Sequence, residues 1–266
     1  MFCCTSQVGL SREDLVASLA DRAGPERVRL LGASDLEATI DALADAFLQD
    51  PLSLWLAGLA EDHPDRGELM LRSNRWVSGA MATISLKKCR GVLLGVKEEE
   101  EEVDGKGLPL AGAMVAVPSS GSAHLDNVLH WIMYGIRNGS PFPKEGYGEF
   151  SFQRSAAMNV LTAKRTQHMS PYPDHIYICQ VGVRGASQGK GLGGRMFRTM
   201  FGATDSLGVP VYLETESREN EAMYRHLGFE TVETLTLKAK GDTSPDAEFE
   251  MYCMLRLPGG AVAAPP

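Results

Sequence analysis

The spacing of apolar residues changes several times along the chain, and each change predicts a new element. Val28 and Leu30 alternate with polar residues and predict a strand, after which Ser34 is expected as the N-cap of a helix. A second amphipathic helix is predicted from Arg66 to Ile84. This part of the chain is therefore expected to form one strand and two helices. The first helix carries apolar residues at helical spacing, namely Leu36, Ile40, Leu43 and Phe47.

Two apolar runs on either side of an acidic segment predict a β-hairpin. The runs are CRGVLLGV and LPLAGAMVAV, and KEEEEEVDGKG lies between them. The glutamates at positions 98–102, with Asp104, are numerous enough to suggest a metal site. A run of like charges is more typical of a solvated segment, because the side chains repel one another. We therefore expect a solvent-exposed hairpin tip and no bound metal.

Residues 118–173 show no sustained period. Gly-rich and Pro-rich segments surround one short amphipathic helix around Leu125 to Ile136. We expect an insertion within one domain, on the substrate side, because pockets are commonly built from such segments. The predicted division of the chain is an N-terminal extension in residues 1–25, one domain in residues 26–258 and a disordered tail in residues 259–266.

The pattern becomes clearer after the insertion. HIYICQVGV is rich in β-branched residues and predicts a strand, and an apolar helix follows with Gly208 as its C-cap. VPVYLETES predicts the next strand, and NEAMYRHLGF predicts a short helix that ends at Gly228. TVETLTLK and FEMYCMLRL predict two more strands, separated by a polar turn. These elements are typical of an α/β domain whose last strands are antiparallel.

The segment QGKGLGG, at positions 188–194, fits three phosphate-binding motifs in part. As a P-loop it fails, because three residues rather than four separate Gly185 from Gly189. In addition, Gly191 follows the lysine where a P-loop has Ser or Thr. As a dinucleotide-binding turn it has the G-x-G-x-x-G pattern, with Glu214 placed as a ribose ligand. Too few residues follow it, however, for a sheet that binds two nucleotides.

The third motif begins at Gln188, where Q-x-x-G-x-G resembles the acetyl-CoA pyrophosphate loop of the GCN5-related N-acetyltransferase (GNAT) superfamily. The next strand and helix also resemble that superfamily, in the pattern N-x-x-x-Y-x-x-x-G-F from Asn220 to Phe229. AFLQDPLSLWL is similar to small-molecule members, and the C-terminal half is most similar to enzymes of the puromycin N-acetyltransferase type. The resemblance implies a single α/β (α+β) domain. Its mixed, mostly antiparallel sheet is splayed between two strands and flanked by helices.

The same resemblance implies a site for acetyl-CoA. Residues 174–230 form the expected cofactor-binding core, in which a strand pairs with the pantetheine arm through its main chain. Glycine amides at a helix N-terminus then hold the pyrophosphate without needing a net positive charge. The expected cofactor-binding residues are Val181, Gly182, Val183, Gln188, Gly189, Lys190, Gly191, Leu192, Gly193, Gly194 and Asn220.

Acetyl transfer to an amine needs a base, because an ammonium group has no lone pair with which to attack a thioester. The departing thiolate also benefits from an acid, and the resemblance implies Tyr224 for that role. His175 is a candidate base because its pKa suits proton transfer at neutral pH, and Glu214, Glu216 or a water relay are the alternatives. Alternation along the incoming strand is expected to place five residues on one face, namely His175, Tyr177, Cys179, Val181 and Val183.

Composition narrows the possible partners. The net charge of -8 and the pI near 5.3 argue against a nucleic-acid-binding surface, because phosphate contacts need clustered Lys and Arg. Five cysteines without C-x-x-C spacing favour a reduced, cytoplasmic protein without disulfides or zinc. No apolar run reaches membrane-spanning length. Acylation of Cys3 and Cys4 is the less expected alternative to two thiols in a frayed terminus.

These patterns and the resemblance together predict an acetyl-CoA-dependent N-acetyltransferase. The acceptor is expected to be a primary amine of a small molecule, which attacks directly in a ternary complex. Two alternatives stay open, namely acetylation of a protein or peptide amine and a non-catalytic acyl-CoA-binding sensor. The oligomeric state, monomer or homodimer, is also left open.

Overall fold

The computed structural model describes residues 10–98, 109–140 and 147–260. Within these ranges, one sheet of seven strands has helices on both faces. The strands are β1 (Val28–Leu31), β2 (Val92–Val96), β3 (Gly112–Pro118), β4 (Ile176–Val183), β5 (Val211–Thr215), β6 (Glu230–Lys238) and β7 (Glu248–Arg256). The helices are α1 (Arg12–Ala23), α2 (Leu36–Ala46), α3 (Pro51–Ala57), α4 (Arg66–Lys88), α5 (Ser119–Leu125), α6 (Val128–Asn138), α7 (Ser151–Ala157), α8 (Asn159–Met169), α9 (Leu192–Leu207) and α10 (Arg218–His226).

The strand order is β1-β2-β3-β4-β5-β7-β6. Every neighbouring pair is antiparallel except β4 and β5, which run parallel. That parallel pair is held at two positions, Ile176 opposite Val211 and Tyr177 opposite Tyr212. Beyond them the two strands separate, and the rest of β4 keeps only β3 as its partner among the described strands. The predicted mixed, mostly antiparallel and splayed sheet is therefore confirmed.

The two faces of the sheet are covered by different helices. Val92 and Leu94 of β2 pack in one cluster with α1 and α9, whereas Leu93 packs in another cluster with α2. Leu15 and Leu19 of α1 are fully buried in the first cluster. The stretch before residue 26, interpreted from sequence as an extension, therefore contributes one helix to the core.

A β-bulge in β4 interrupts the alternation of its side chains. Val115 of β3 pairs with Gln180, but the next residue, Ala116, pairs with Ile178, so Cys179 is an extra residue in the strand. After the bulge, Val181 and Val183 pack in the cluster that holds Ile178. Cys179 packs in the clusters on the opposite face of the sheet. The extra residue shifts the period by one. This corrects the expectation of one shared face for His175, Tyr177, Cys179, Val181 and Val183.

The insertion between β3 and β4 contains more helix than its sequence indicates. The predicted amphipathic helix is α6, but α5, α7 and α8 are formed as well. Arg154 of α7 and Arg165 of α8 are both buried, and each is paired with a carboxylate. These polar segments resemble loops in the sequence. They form helices because the charges of their buried arginines are neutralised in the interior. Residues 141–146 lie outside the described part of the chain.

The ends of two predicted elements also differ from expectation. Ser34 lies inside a short 3-10 turn (Ala33–Asp35) and does not cap α2. Asp35 precedes the helix instead, and its Oδ2 accepts a hydrogen bond from the Gly32 amide at 2.9 Å. In the expected tail, the Gly259 amide donates to Asp205 Oδ1 at 2.9 Å, and residues 261–266 lie outside the described residues.

Gly182 of β4 allows α2 to lie directly against the strand. A Cβ atom at this position would lie 2.6 Å from the Cβ of Ala46, the last residue of α2. We expect Gly182→Ala to lower the free energy of unfolding by about 1–3 kcal/mol, because the helix has to move away from the sheet. Urea unfolding measures the change. Gly185→Ala is the matched control, since a Cβ there meets nothing within 4 Å, and equal stability of the two variants would contradict the close contact.

Candidate functional site

The separation of β4 and β5 opens a cavity of about 790 Å³ between the two strands. Its walls come from the end of β4 and the glycine loop that follows, from the end of β5 with α10, and from α3 and α4. Met158 and Leu161 of the insertion also line it. The sequence-predicted cofactor residues that line the cavity are Val181, Gly182, Val183, Gln188, Gly189, Gly191, Leu192, Gly193, Gly194 and Asn220.

The glycine loop, residues 188–191, turns the chain from β4 into α9. Gly189 and Gly191 have φ angles of 77° and 73°, in the left-handed region that glycine adopts without steric penalty. Gln188 closes the turn by donating from Nε2 to the Val183 carbonyl at 3.2 Å. The first amides of α9 have no acceptor within their own helix, and the helix dipole adds a positive potential. The loop therefore offers main-chain donors to an anion at one end of the cavity.

Lys190 is the one predicted loop residue outside the cavity lining, among the residues described. Its Nζ lies 2.5 Å from Glu98 Oε2, and the Ser187 hydroxyl donates to the other oxygen of the same carboxylate. Hydrogen bonds from Lys190 and then Ser187 lower the pKa of Glu98. The expected solvent-exposed acidic tip is thus wrong for Glu98, because this carboxylate is held against the glycine loop. The rest of the acidic run lies outside the described residues.

Tyr224 of α10 lies in an aromatic cluster at the cavity wall. Its ring meets Phe197 edge-on with the centroids 5.6 Å apart, and it meets Phe229 edge-on at 5.8 Å. Burial raises the pKa of the phenol, and the nearby Glu216 and Asp50 carboxyl groups raise it further. The hydroxyl group therefore keeps its proton at neutral pH and can donate a hydrogen bond into the cavity.

Two carboxyl groups from distant parts of the chain meet near Tyr224. Asp50 caps α3, and its Oδ1 accepts a hydrogen bond from the Ser53 amide at 2.7 Å. Glu216 follows β5 and accepts a hydrogen bond from Asn220 Nδ2 at 2.6 Å. The Asp50 and Glu216 side chains also contact each other. Burial raises the pKa of both groups, and the Asp50 charge raises that of Glu216 further, so the pair retains a shared proton at neutral pH.

Asp50 is a candidate site residue that the sequence analysis did not identify. An Asp before Pro51 at the start of a helix is accounted for by capping alone. A signal was nevertheless available, since Asp50 lies in AFLQDPLSLWL, the segment that resembles small-molecule acetyltransferases. Its partner Glu216 was already a candidate base. What the sequence lacked was the tertiary contact that joins α3 to the end of β5.

A buried arginine fixes the position of α3. Arg154 of α7 is 2% exposed and donates to the Trp55 carbonyl of α3 at 2.7 Å. The same guanidinium group binds Asp242 at 2.8 Å and Asp246 at 2.9 Å, both in the turn between β6 and β7. It also lies 5.2 Å from the centre of the Trp55 ring. Arg154 therefore links α3, the helix that Asp50 precedes, to the turn between β6 and β7.

Glu214 of β5 lines the cavity but belongs to a second network. Burial raises its pKa to about 7, while Arg165 and the hydroxyl groups of Tyr177 and Tyr212 oppose the rise. Arg165 is itself paired with Asp126 at 2.5 Å and lies 4.2 Å from the centre of the Tyr177 ring. Glu214 Oε1 nevertheless has no hydrogen-bond partner among the described residues. The Asp50 and Glu216 carboxyl groups, rather than that of Glu214, are the ones that raise the pKa of Tyr224.

His175 is not brought together with these residues. It precedes β4 at the end where β4 and β5 are still paired, and it is not among the residues that line the cavity. Its Nδ1 lies 2.8 Å from the Tyr172 carbonyl oxygen, and burial lowers its pKa. Of the four sequence candidates for acid and base, the cavity holds Tyr224, Glu214 and Glu216.

Three further properties concern only the residues described. None of their helices is both long enough and apolar enough to cross a lipid bilayer. These residues also contain no group of three or more His, Cys, Asp or Glu side chains arranged to hold a metal ion. Cys89 and Cys253 are buried free thiols, and Cys179 is a half-buried one.

The fold of the described residues is similar to that of solved N-acetyltransferases. Arylalkylamine N-acetyltransferase 2 from Aedes aegypti matches with a TM-score of 0.52 and 14% identity, over 87% of this chain and 98% of that one. Polyamine N-acetyltransferase from Drosophila melanogaster matches with a TM-score of 0.50 and 17% identity, over 86% and 98%. Identities this low establish the fold alone. The chain has the acetyltransferase fold that the sequence resemblance implied.

Sequence comparison adds a distant relative from yeast. No family model matches the chain. An uncharacterized N-acetyltransferase of Schizosaccharomyces pombe, C550.08, is 32% identical over 71 residues. The match spans 26% of this chain and 29% of the yeast protein. A match over so small a part of both chains leaves the activity to be argued from the cavity and its residues.

Proposed function

We propose that this chain is an acetyl-CoA-dependent N-acetyltransferase whose acceptor is a primary amine of a small molecule. One observation carries the proposal: a single cavity contains an anion-binding glycine loop, a protonated phenol and a pair of carboxyl groups that share a proton. Acyl transfer to an amine needs these three functions within reach of one another. The name of the yeast relative and the names of the solved structures support the same reaction class.

The end of β4 would bind the pantetheine arm of acetyl-CoA, and the glycine loop would bind its pyrophosphate. The main chain of Val181 and Val183 lies on the strand edge that β5 has left. The Val183 carbonyl accepts from Gln188, and the other polar groups of these two residues would pair with an extended ligand. The amides from Gly189 onward would hold the pyrophosphate, and Gly191 has no side chain to obstruct its approach. Asn220 borders the same cavity. The cofactor supplies the thioester whose carbonyl carbon receives the amine.

The Asp50–Glu216 pair would remove the proton from the acceptor. A cationic amine that enters the cavity favours the doubly ionised state of the pair, and the shared proton is released to solvent. One carboxylate then takes a proton from the ammonium group, and the pair returns to its shared-proton state. The neutral amine is left with the lone pair that it needs to attack. A base with a raised pKa matches the amine better than an ordinary glutamate does.

Tyr224 would stabilise the sulfur as the carbon–sulfur bond breaks. The phenol donates a hydrogen bond to the departing thiolate, where negative charge develops. Because burial raises the pKa of this phenol above that of an ordinary thiol, it keeps most of its proton during the step. The nitrogen loses its second proton to solvent as the amide forms, and the thiolate is protonated from solvent as the products leave. In this role Tyr224 acts as a hydrogen-bond donor to the leaving group.

The cavity favours a small cationic acceptor. Three carboxyl groups line it, those of Asp50, Glu214 and Glu216, so a cation gains from entering. Polyamine and arylalkylamine substrates in the names of the two solved structures support an amine of this size. The sequence likeness to puromycin-type enzymes supports a small-molecule acceptor as well.

Incubation with acetyl-CoA and a panel of amines tests the proposal. CoA release is followed by mass spectrometry, because the free thiols of the protein would react with a thiol reagent. We expect turnover with at least one small primary amine and none with blocked peptides. Turnover with peptides alone would favour a protein or peptide acceptor. Tight cofactor binding without turnover would favour an acyl-CoA sensor, and absence of both binding and turnover would reject the proposal.

A further inference from the structure

One helix of the insertion, α6, exposes an apolar face to solvent. Nine large hydrophobic side chains are exposed in the described residues, and five of them lie on α6, with exposed fractions from 47% to 73%. Isolated apolar residues are normal on a protein surface, whereas a contiguous apolar patch marks a site of interaction. The five residues recur at helical spacing and form one face, called here the α6 stripe. They are Val128, Leu129, Ile132, Met133 and Ile136.

The opposite face of α6 is already packed against the domain. The Trp131 ring lies 6.1 Å from the ring of Trp76 in α4, and Tyr134 meets Trp76 edge-on at 5.4 Å. Trp131 Nε1 also donates to the Leu125 carbonyl at 2.7 Å. Trp76 Nε1 donates to the Gly139 carbonyl at 2.6 Å. The helix therefore has apolar residues on two opposite faces, which is typical of a helix that is covered on both sides.

The shape of the α6 stripe suits a second helix of the same length. Leu129, Ile132 and Ile136 recur at the spacing with which two helices pack side by side. None of the five side chains in the stripe is charged, so the stripe is complementary to a copy of itself. A helix of 11 residues is about 16 Å long. Its face is smaller than the roughly 800 Å² that each partner buries in a stable interface, so we expect reversible association.

Charged groups at the two ends of α6 favour an antiparallel partner. Arg137 in the last turn is exposed and makes no ion pair among the described residues. Asp126 precedes the helix, and the hydrogen bonds that it accepts from Arg165 and Thr162 both go to Oδ1. Two antiparallel α6 helices bring the Arg137 of each copy beside the Asp126 of the other, and their dipoles are then opposed. Parallel helices would instead bring like charges together.

We propose that the α6 stripe is the contact surface for a second copy of this chain, with the two α6 helices packed antiparallel about a twofold axis near Ile132. Ile132 lies at the middle of the stripe, so the same residues are buried on both copies. In this arrangement Leu129 of one copy faces Ile136 of the other. The inference goes beyond the proposed function, because association needs neither cofactor nor acceptor.

Sedimentation velocity of the full chain over a range of concentrations tests the association. We expect the mass to rise from 28.8 kDa toward twice that value as the concentration increases. The double variant Leu129→Asp/Ile136→Asp should lower the association constant by about 10²-fold, because the twofold axis places each new carboxylate in the interface twice. Phe152→Asp/Val160→Asp is the matched control, since it puts the same charges on exposed apolar residues of α7 and α8 and should leave association intact.

Disulfide cross-linking tests the orientation of the two helices. In a Cys3→Ser/Cys4→Ser background, a mixture of Leu129→Cys chains and Ile136→Cys chains should form a mixed disulfide dimer. Electrophoresis without reductant detects this product. Each variant alone should cross-link poorly, because like positions lie about 10 Å apart along an antiparallel pair, too far for a disulfide.

Four results would overturn the inference. They are a chain that stays monomeric at every concentration, a dimer that survives in Leu129→Asp/Ile136→Asp, and efficient cross-linking of Leu129→Cys with itself, which would show a parallel pair. The fourth is a monomer that co-sediments with phosphatidylserine vesicles and loses this binding in the aspartate variant, which would assign the stripe to a lipid surface. Each of these results leaves the proposed function standing.

Discussion

Replacing Glu216 with Gln is expected to lower the rate of acetyl transfer by about 10³-fold at neutral pH, because an amide does not accept the proton that the amine must lose. Gln keeps the size of the side chain and can still bind Asn220, which contacts Glu216 at 2.6 Å. Cofactor affinity should therefore be unchanged. Single-turnover measurement of product formation checks the rate, and titration checks the affinity.

The pH dependence of the rate separates a base from a packing residue. In the unmodified protein, transfer should become faster as pH rises through the raised pKa of the Asp50–Glu216 pair, because the doubly ionised pair is the base. In Glu216→Gln this rise of the rate with pH should disappear or move to another pH. The exposed residue Glu61 provides the control variant, Glu61→Gln, which should keep both rate and profile. A Glu216→Gln protein with the parental rate and profile would leave Glu214 or a water relay as the base.

The raised pKa of Glu216 also predicts how the stability of the protein changes with pH. Glu216 has a higher pKa in the folded protein than its ordinary value of 4.5, so the folded state binds more protons than the unfolded chain between these two values. The free energy of unfolding should then fall as pH rises through that interval. Glu216→Gln should remove this group's contribution. Urea unfolding between about pH 5 and pH 8 measures the difference.

Tyr224→Phe is expected to lower the rate of acetyl transfer by about 10²-fold and to leave cofactor affinity unchanged. The ring still packs against Phe197 and Phe229, but the hydrogen bond to the departing sulfur is lost. That bond matters chiefly in the transition state, where the sulfur becomes charged.

The comparison needs a tyrosine that lies outside the cavity, and Tyr147 is a half-buried one. Tyr147 donates to the Leu69 carbonyl at 2.7 Å and is not among the residues that line the cavity, so Tyr147→Phe should keep the parental rate in folded protein. Single-turnover conditions remove the influence of slow product release. If Tyr224→Phe matches the parental rate there, the phenol has only a packing role and water must stabilise the thiolate.

The C-terminal half of the fold follows from local sequence patterns. The glycines before α9, the C-cap at Gly208 and the alternating strands each specify a conformation within a few residues. The sheet could also be predicted as splayed, because the loop and helix motifs resemble a superfamily with that architecture. The same resemblance implied that the glycine loop and Tyr224 belong to one site, and both line the cavity.

Features that depend on distant contacts could not be predicted in the same way. The bulge at Cys179 depends on pairing with β3, and it changes which side chains share a face of the sheet. Asp50 becomes a candidate base only when α3 lies beside the end of β5. The helices of the insertion are stabilised by buried ion pairs such as Arg154 with Asp242, whose partners are far apart in sequence. Hydrophobic periodicity carries no information about these contacts.

The strand edge that β4 exposes toward β5 has a consequence for the protein during its synthesis and storage. Unpaired main-chain groups of an extended strand bind other strands as readily as they bind a ligand, which makes such an edge a starting point for aggregation. Here the edge lies inside a wedge that a cofactor would fill, so the cofactor would protect the chain as well as react with it. Its concentration would then influence how much protein stays folded and active. Preparations made without it should lose protein to aggregates faster than preparations that contain it.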